Sequence, residues 1–397
     1  MKPFYAFFLV LLLAATGCRQ GRAVSAIENG DTIRMKYAEN IVITRSSALT
    51  MVELRNPWGE GVLHRYWLVP VGAEGDFSDL EGTLVHVPLR RSVVFNTAHA
   101  SLLLMLRADS AMAGVADAKY MLLPEVQRRL REGNLVDCGD AMAPDIEKIV
   151  DLQADAILLS PFENSGGYGG LEKLGVPLIE CAEYMETSAL GRAEWMRFYG
   201  ILFGCEAQAD SLFEEVERAY FGMRDEGVGM RDEGIGMKDE GIGMKDFSGS
   251  GERGARLSML TERLTGSTWY VAGGRSSVGR LIADAGGRYA WADDNHSGSL
   301  PLSFETVLDK AGDADVWIFN YTGAMPLSRR KLSSEHHGYE AFKAFQTGEI
   351  YYVNSLQVPY FEEVSFRPDW LLRDYVILLH PEHHHRDTLR YFKKIEP

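Results

Sequence analysis

Ser92-Val93-Val94-Phe95-Asn96-Thr97-Ala98-His99-Ala100-Ser101-Leu102-Leu103-Leu104-Met105-Leu106 changes its hydrophobic rhythm in the middle. Ser92 to Phe95 is the short β-branched and aromatic run of a buried strand. Asn96-Thr97 can turn the chain and cap a helix, and Ala98 to Leu106 is apolar enough to pack as one. The run predicts strand, turn and helix, the repeating unit of a parallel α/β sheet. The rhythm returns further on: Pro144 to Leu152 reads as a helix, Asp155 to Leu159 as a strand, Leu171 to Gly175 as a short helix and Val176 to Ile179 as a strand. These elements make one α/β lobe. Gly191 to Phe221 is the longest helical pattern, with Trp195, Phe198, Tyr199, Leu202, Phe203, Leu212, Phe213 and Val216 largely at helical spacing. Its length suits a connector between two lobes.

From Arg256 the alternation resumes. Strands are expected at Ser267–Val271, Ala314–Phe319 and Ile350–Val353, and helices at Ser276–Ala285, Ser303–Ala311, Tyr339–Thr347 and Pro368–Leu379. Between connector and second lobe lies a seven-residue tandem repeat, starting at Gly222, Gly229, Gly236 and Gly243. Two glycines per unit, about 1 kcal/mol each against a helix, predict a flexible low-complexity insert rather than a coiled coil. Upstream, Ile41–Thr44, Met51–Leu54 and Arg65–Pro70 are short strand-like runs separated by turn signals such as Asn56-Pro57-Trp58-Gly59, which predicts a small antiparallel β extension.

The expected organisation is a signal peptide at 1–17, a tether at 18–32, the β extension at 33–87, an N-terminal α/β lobe at 88–190, the connecting helix at 191–221, the insert at 222–254, a C-terminal α/β lobe at 255–382 and a tail at 383–397. Lys2 followed by an apolar run from Phe4 to Ala15 is the export pattern, too short to span a bilayer comfortably. The Ala15-Thr16-Gly17-Cys18 ending resembles a bacterial lipobox, which implies a lipid on Cys18 and a membrane-anchored protein, periplasmic or at the cell surface.

Composition narrows the function. The 397 residues carry 41 Lys+Arg against 56 Asp+Glu, a net charge of −15. Nucleic-acid binding rests on cationic neutralisation of phosphates, so nucleic acid is not an expected partner. There is no GxxxxGK[ST], HExxH or GxSxG, so phosphate-loop, zincin and esterase chemistry lack support. Cys138, Cys181 and Cys205 have no CxxC spacing; one disulfide or three buried free thiols both fit, and burial is the plainer reading. His336-His337 and His383-His384-His385 read as solvated surface residues, with no metal site expected. Gly273-Gly274-Arg275-Ser276-Ser277 opens a helix after a strand, where free amides could receive an anion or merely form a turn.

Four segments, taken in order, resemble one family. They are Asp145-Ile-Glu-Lys-Ile-Val-Asp-Leu-Gln-Ala-Asp-Ala-Ile-Leu-Leu159, Pro301-Leu-Ser-Phe-Glu-Thr-Val-Leu-Asp-Lys-Ala-Gly-Asp-Ala-Asp-Val316, Gly348-Glu-Ile-Tyr-Tyr-Val-Asn354 and Arg367-Pro-Asp-Trp-Leu-Leu-Arg-Asp-Tyr-Val-Ile-Leu-Leu-His-Pro381, with the long helical stretch from Glu194 to Tyr220 between the first two. Together, over roughly residues 84–382, they resemble the periplasmic substrate-binding proteins of ABC importers for iron siderophores, haem and cobalamin. The resemblance implies two Rossmann-like α/β lobes joined by one long α-helix, with ligand held between them and passed to a permease and its ATPase. It implies no enzyme activity, no intrinsic cofactor, a metal-chelate ligand and a monomer. By motif position Glu147 and Glu305 are the expected permease-docking carboxylates. Strand-end loops facing the cleft supply the expected ligand contacts: Asn96, Thr97, His99, Lys119, Tyr120, Phe162, Tyr168, Glu183, Tyr184, Trp269, Arg275, Trp291, Asn320, Tyr321 and Tyr360. Aromatic groups there suit a large, flat, partly apolar chelate. A chelate-processing enzyme and a scaffold lipoprotein with a vestigial cleft remain the alternatives on this fold.

Overall fold

The computed structural model describes residues 30–77, 79–163, 167–233 and 256–397. The expected signal peptide, Cys18, most of the tether and the repeats beyond Glu233 lie outside the described residues.

The extension is a five-stranded sheet of β1 (Asp31–Ile33), β2 (Ile41–Arg45), β3 (Thr50–Arg55), β4 (Val62–Pro70) and β5 (Thr83–Val87), paired in that order. It is not wholly antiparallel as expected: β5 returns to lie parallel to β4. Ile41, Ile43, Val52, Leu54, Tyr66, Leu68 and Val85 are buried at the period-two spacing of one sheet face. That face packs on the N-terminal lobe, where the Tyr66 hydroxyl donates to the Leu178 carbonyl at 3.1 Å and accepts the Glu180 N–H at 2.8 Å.

The N-terminal lobe runs β6 (Ser92–Val94), α1 (Thr97–Met105), β7 (Met112–Val115), α2 (Pro124–Arg131), β8 (Val136–Asp137), the hairpin β9 (Gly139–Asp140) and β10 (Ala143–Pro144), α3 (Ile146–Asp151), β11 (Ala156–Leu159) and β12 (Leu178–Glu180). The sheet order is β12-β11-β6-β7-β8, every neighbour parallel. The chain therefore builds outward from β6 on one side and then returns to its other side. That reversal is the topological switch point at which open α/β sheets leave a crevice.

The expected single connector is three helices: α4 (Ala189–Glu194), α5 (Met196–Phe203) and α6 (Glu206–Glu233). The breaks fall at Trp195 and at Gly204, whose φ of +67° ends α5 in a left-handed turn. The last helix also overruns its expected end by 12 residues into the repeats, so residues 222–233 are helical rather than flexible. The reason is tertiary: a Cβ on Gly227 would stand 2.9 Å from the Ala285 carbonyl oxygen, and one on Gly286 would stand 2.5 Å from that of Gly227. The glycine that weakens an isolated helix here lets two backbones touch.

The C-terminal lobe comprises β13 (Met259–Thr261), β14 (Leu264–Thr265), β15 (Thr268–Ala272), α7 (Ser277–Asp284), β16 (Ser299–Leu302), α8 (Phe304–Ala311), β17 (Val316–Tyr321), α9 (Arg329–Glu335), α10 (Lys343–Thr347), β18 (Ile350–Asn354), α11 (Tyr360–Glu363), α12 (Pro368–Leu379) and β19 (Lys393–Lys394). Its main sheet is β13-β17-β18-β19, parallel except for β19, beside an antiparallel β14-β15-β16 sheet. The expected helix from Tyr339 is a 3-10 turn that breaks at buried Phe342 before α10 begins. Residues 383–397 are not a free tail: β19 pairs with β18, and Tyr391, Phe392 and Ile395 are buried in the lobe. His384 is likewise held rather than solvated, its Nδ1 2.7 Å from Asp387 and its Nε2 3.7 Å from Glu226 on α6. Cys138, Cys181 and Cys205 are buried free thiols.

Candidate functional site

The two lobes face each other across a cleft of about 600 Å³. Its N-lobe wall is built at the carboxyl ends of β6, β7 and β12, and its C-lobe wall at the ends of β13 and β17 together with α7, α11 and the start of α12. The cleft is therefore where the crossover topology of the first lobe leaves backbone ends uncovered.

Of the expected ligand contacts, Asn96, Thr97, Tyr120, Glu183, Tyr184, Asn320 and Tyr360 line this cleft. Asn96 is also structural: its Oδ1 accepts the Ala98 N–H at 2.8 Å to cap α1, and its Nδ2 donates to Ser160 Oγ at 3.0 Å, tying β6 to β11. Tyr184 is anchored by its hydroxyl, which donates to the Pro161 carbonyl.

The remaining expected contacts lie elsewhere. His99 is fully buried behind the wall, its Nε2 2.9 Å from Glu183 Oε1 and its ring against Tyr199. Trp269 is a core residue, stacked on Trp317 with Nε1 donating to the Thr261 carbonyl at 2.9 Å. Trp291 is buried against Tyr289, with the Lys310 ammonium over its ring. Lys119 sits exposed over the Tyr120 ring, and Phe162 and Arg275 are exposed outside the cleft lining. Tyr168 donates to Glu180 at 2.7 Å in a separate pocket beside the β extension, and Tyr321 donates to the Met325 carbonyl at 3.0 Å. The C-lobe core claims both tryptophans, Trp269 from β15 and Trp291 from the turn that follows α7. Glu147 and Glu305 are exposed in the first turns of α3 and α8, and neither forms an ion pair among the described residues.

The groups that sequence reasoning missed carry most of the cleft's charge: Asp117, Arg192 and Glu262. Arg192 projects from α4, and its Nη2 donates to the Tyr184 carbonyl at 2.6 Å and reaches Ser277 Oγ of the other lobe at 3.5 Å. Its Nε is closed to solvent with no partner, and desolvation lowers its pKa. Asp117 and Glu262 both have left-handed backbones, φ +53° and +61°. Such conformations cost of order 1–3 kcal/mol for residues with side chains and collect at functional sites. Glu262 is open to the cleft, yet enough protein surrounds it that desolvation holds its carboxyl above the ordinary range. Tyr360, whose hydroxyl is pushed up by burial, lies within electrostatic reach of both Glu262 and Arg192. Nothing in the sequence around Glu262 signals its left-handed turn.

Among the described residues no group of three or more His, Cys, Asp and Glu side chains is placed to hold a metal ion. The cleft is thus equipped to hold a molecule of several hundred Å³ by aromatic area and a few polar contacts.

Residues 93–226 match the family model described as periplasmic binding protein. An uncharacterized lipoprotein of Methanocaldococcus jannaschii is 24% identical over 317 residues, 75% of this chain and 67% of the relative. Among solved structures, an ABC transporter substrate-binding protein from Listeria monocytogenes matches with a TM-score of 0.54 at 15% identity, over 74% of this chain and 99% of that one. A periplasmic haem-binding protein from Pseudomonas aeruginosa matches with a TM-score of 0.53 at 14% identity, over 74% and 93%. These matches show the two-lobed α/β fold that the resemblance read from the sequence implies.

Proposed function

We propose, for a chain with the periplasmic binding protein fold, that it is a substrate-binding lipoprotein of an ABC importer. It captures a metal chelate, a ferric siderophore, haem or cobalamin, between its lobes and delivers it to a permease served by an ATPase. The observation that carries this reading is the cleft itself: about 600 Å³, at the switch point of the first lobe, walled by side chains from both lobes. A cleft of that size fits a chelate rather than a bare ion. The protein acts by binding and release, as a monomer with no resident cofactor, held at the membrane through a lipid on Cys18. No helix among the described residues is long and apolar enough to cross a membrane.

Docking on the permease falls to Glu147 and Glu305, one on each lobe. Exposed carboxylates on separate lobes register a cationic partner surface in two places at once. The test is uptake of labelled chelate in cells carrying Glu147→Ala with Glu305→Ala. Loss of uptake with unchanged binding by the purified protein supports the reading. Unchanged uptake sinks the docking assignment, and uptake that does not depend on the protein at all favours the scaffold alternative.

A further inference from the structure

We propose that the ligand is an amide-bearing chelate, whose edge offers N–H donors as well as oxygen acceptors, and that Glu262 and Arg192 read these two groups. The proposal rests on the chelate-capture reading above and narrows it against porphyrins.

Arg192 has one nitrogen committed to the Tyr184 carbonyl and, more weakly, to Ser277. It has no carboxylate within ion-pairing distance among the described residues, and its Nε is unpartnered. A guanidinium withdrawn from water in this way is completed by an oxygen acceptor. Glu262 lines the same cleft from the other lobe, with the opposite need. Its backbone is locked, its N–H donating to the Ile318 carbonyl at 2.8 Å and its own carbonyl accepting Trp317 Nε1 at 2.7 Å. That lock, with the left-handed φ, fixes the point from which the exposed side chain enters the cleft. The Asn320 backbone N–H acts to stabilise the ionised carboxylate, which keeps lone pairs for a ligand's donors.

Charge weighs against the alternative. The side chains lining the cleft include three carboxylates, Asp117, Glu262 and Glu183, the last buried against His99, and a single guanidinium. A porphyrin edge presents two carboxylates and no N–H, so it would leave Glu262 without a donor and set like charges together in a partly desolvated space. An amide edge is neutral and supplies both halves at once, a carbonyl oxygen to Arg192 and an N–H to Glu262. Exposed Tyr120 and Phe361, one on each lobe, add apolar area at the same cleft. Corrinoids, with peripheral primary amides, and hydroxamate siderophores with secondary amides in their links share this chemistry.

The experiment is calorimetric titration of the detergent-solubilised full chain with cyanocobalamin, a ferric trihydroxamate with amide links, and haemin. One amide-bearing probe is expected to bind one to one with a Kd of about 10 µM or below and at least 100-fold tighter than haemin; which of the two binds identifies the source. Glu262→Gln and Arg192→Gln should each weaken that binding at least tenfold, with Arg192→Lys as a milder second variant, each checked for a cooperative unfolding transition. Haemin binding tighter than both amide probes overturns the proposal and leaves chelate capture standing. Variants that bind like the parent also overturn it. Silence from all three probes overturns the proposal together with the reading beneath it.

Discussion

Glu194, a fully buried carboxylate in α4, accepts the backbone N–H of Tyr37 at 2.7 Å. The same carboxylate accepts the N–H of Lys36 at 2.8 Å and of Ala38 at 2.9 Å, while Glu186 accepts those of Glu39 and Asn40, both at 2.9 Å, and Trp195 Nε1 at 2.8 Å. Five consecutive backbone amides of the extension are thus held by two carboxylates at the lobe junction. Removing the acceptor leaves three amides without it. Glu194→Ala should lower unfolding free energy by about 3–5 kcal/mol, and Glu194→Gln by less, read by denaturant melts. Parent-like melting of Glu194→Ala would mean that the extension is not part of the folded unit.

The repeat glycines make a sharper case because they predict opposite signs on one helix. Nothing lies within 4 Å of a Cβ built on Gly222 or Gly229, so alanine there should stabilise by about 0.5–1 kcal/mol, as in an ordinary helix interior. A Cβ on Gly227 would stand 2.9 Å from the Ala285 carbonyl oxygen, so Gly227→Ala should destabilise despite its better helix propensity. Thermal melts of the three variants check the pattern, and a Gly227→Ala protein as stable as Gly229→Ala contradicts the close contact.

Glu262 gives a pH dependence with a definite sign. Desolvation raises its pKa in the folded protein above the ordinary 4.5. An acid raised on folding favours the native state below its unfolded pKa, and that contribution is lost as pH rises through the folded value. At pH 7 the ionised group therefore opposes folding. Glu262→Gln should melt higher than the parent at pH 7, and the gap should close near pH 4. A gap that widens on acidification would reverse the assignment.

The thiols report on packing and on the anchor in one assay. Burial pushes the Cys138 thiol up to about 11 and raises Cys181 and Cys205 as well. Native protein at pH 8 should react with a disulfide reagent over hours rather than minutes. Of the 4 cysteines in the chain, three should titrate after denaturation if Cys18 carries its lipid, and four if it does not.

Local signals account for most of the fold. The strand, cap and helix at Ser92–Met105 were legible because Asn96 sits where the hydrophobic rhythm changes, and it does cap the helix. Helix α12 was legible to the residue, from Pro368 at its start to Leu379. What escaped was set by distant contacts. Nothing near Gly227 says that Ala285 will meet it, so the helix seemed to end at the first repeat. Two lysines do not read as a strand, and β19 exists because Tyr391, Phe392 and Ile395 bury around it. In the cleft, strand-end position found Tyr120, Tyr184 and Tyr360 but could not tell the cleft from the core for Trp269 and Trp291. Arg192 and Glu262 were invisible for a related reason: an arginine in a helical run and a glutamate between two short strands look like ordinary surface residues, and the meeting of the two lobes is what places both on one cleft.

Native mass spectrometry of the full chain, isolated from cells grown with iron and cobalt and then offered each chelate in turn, tests chelate capture most directly. One chelate per chain, with the adduct weakened in Arg192→Gln and Glu262→Gln, is the predicted result. A chain that emerges empty and stays empty across siderophores, haem and cobalamin would contradict it.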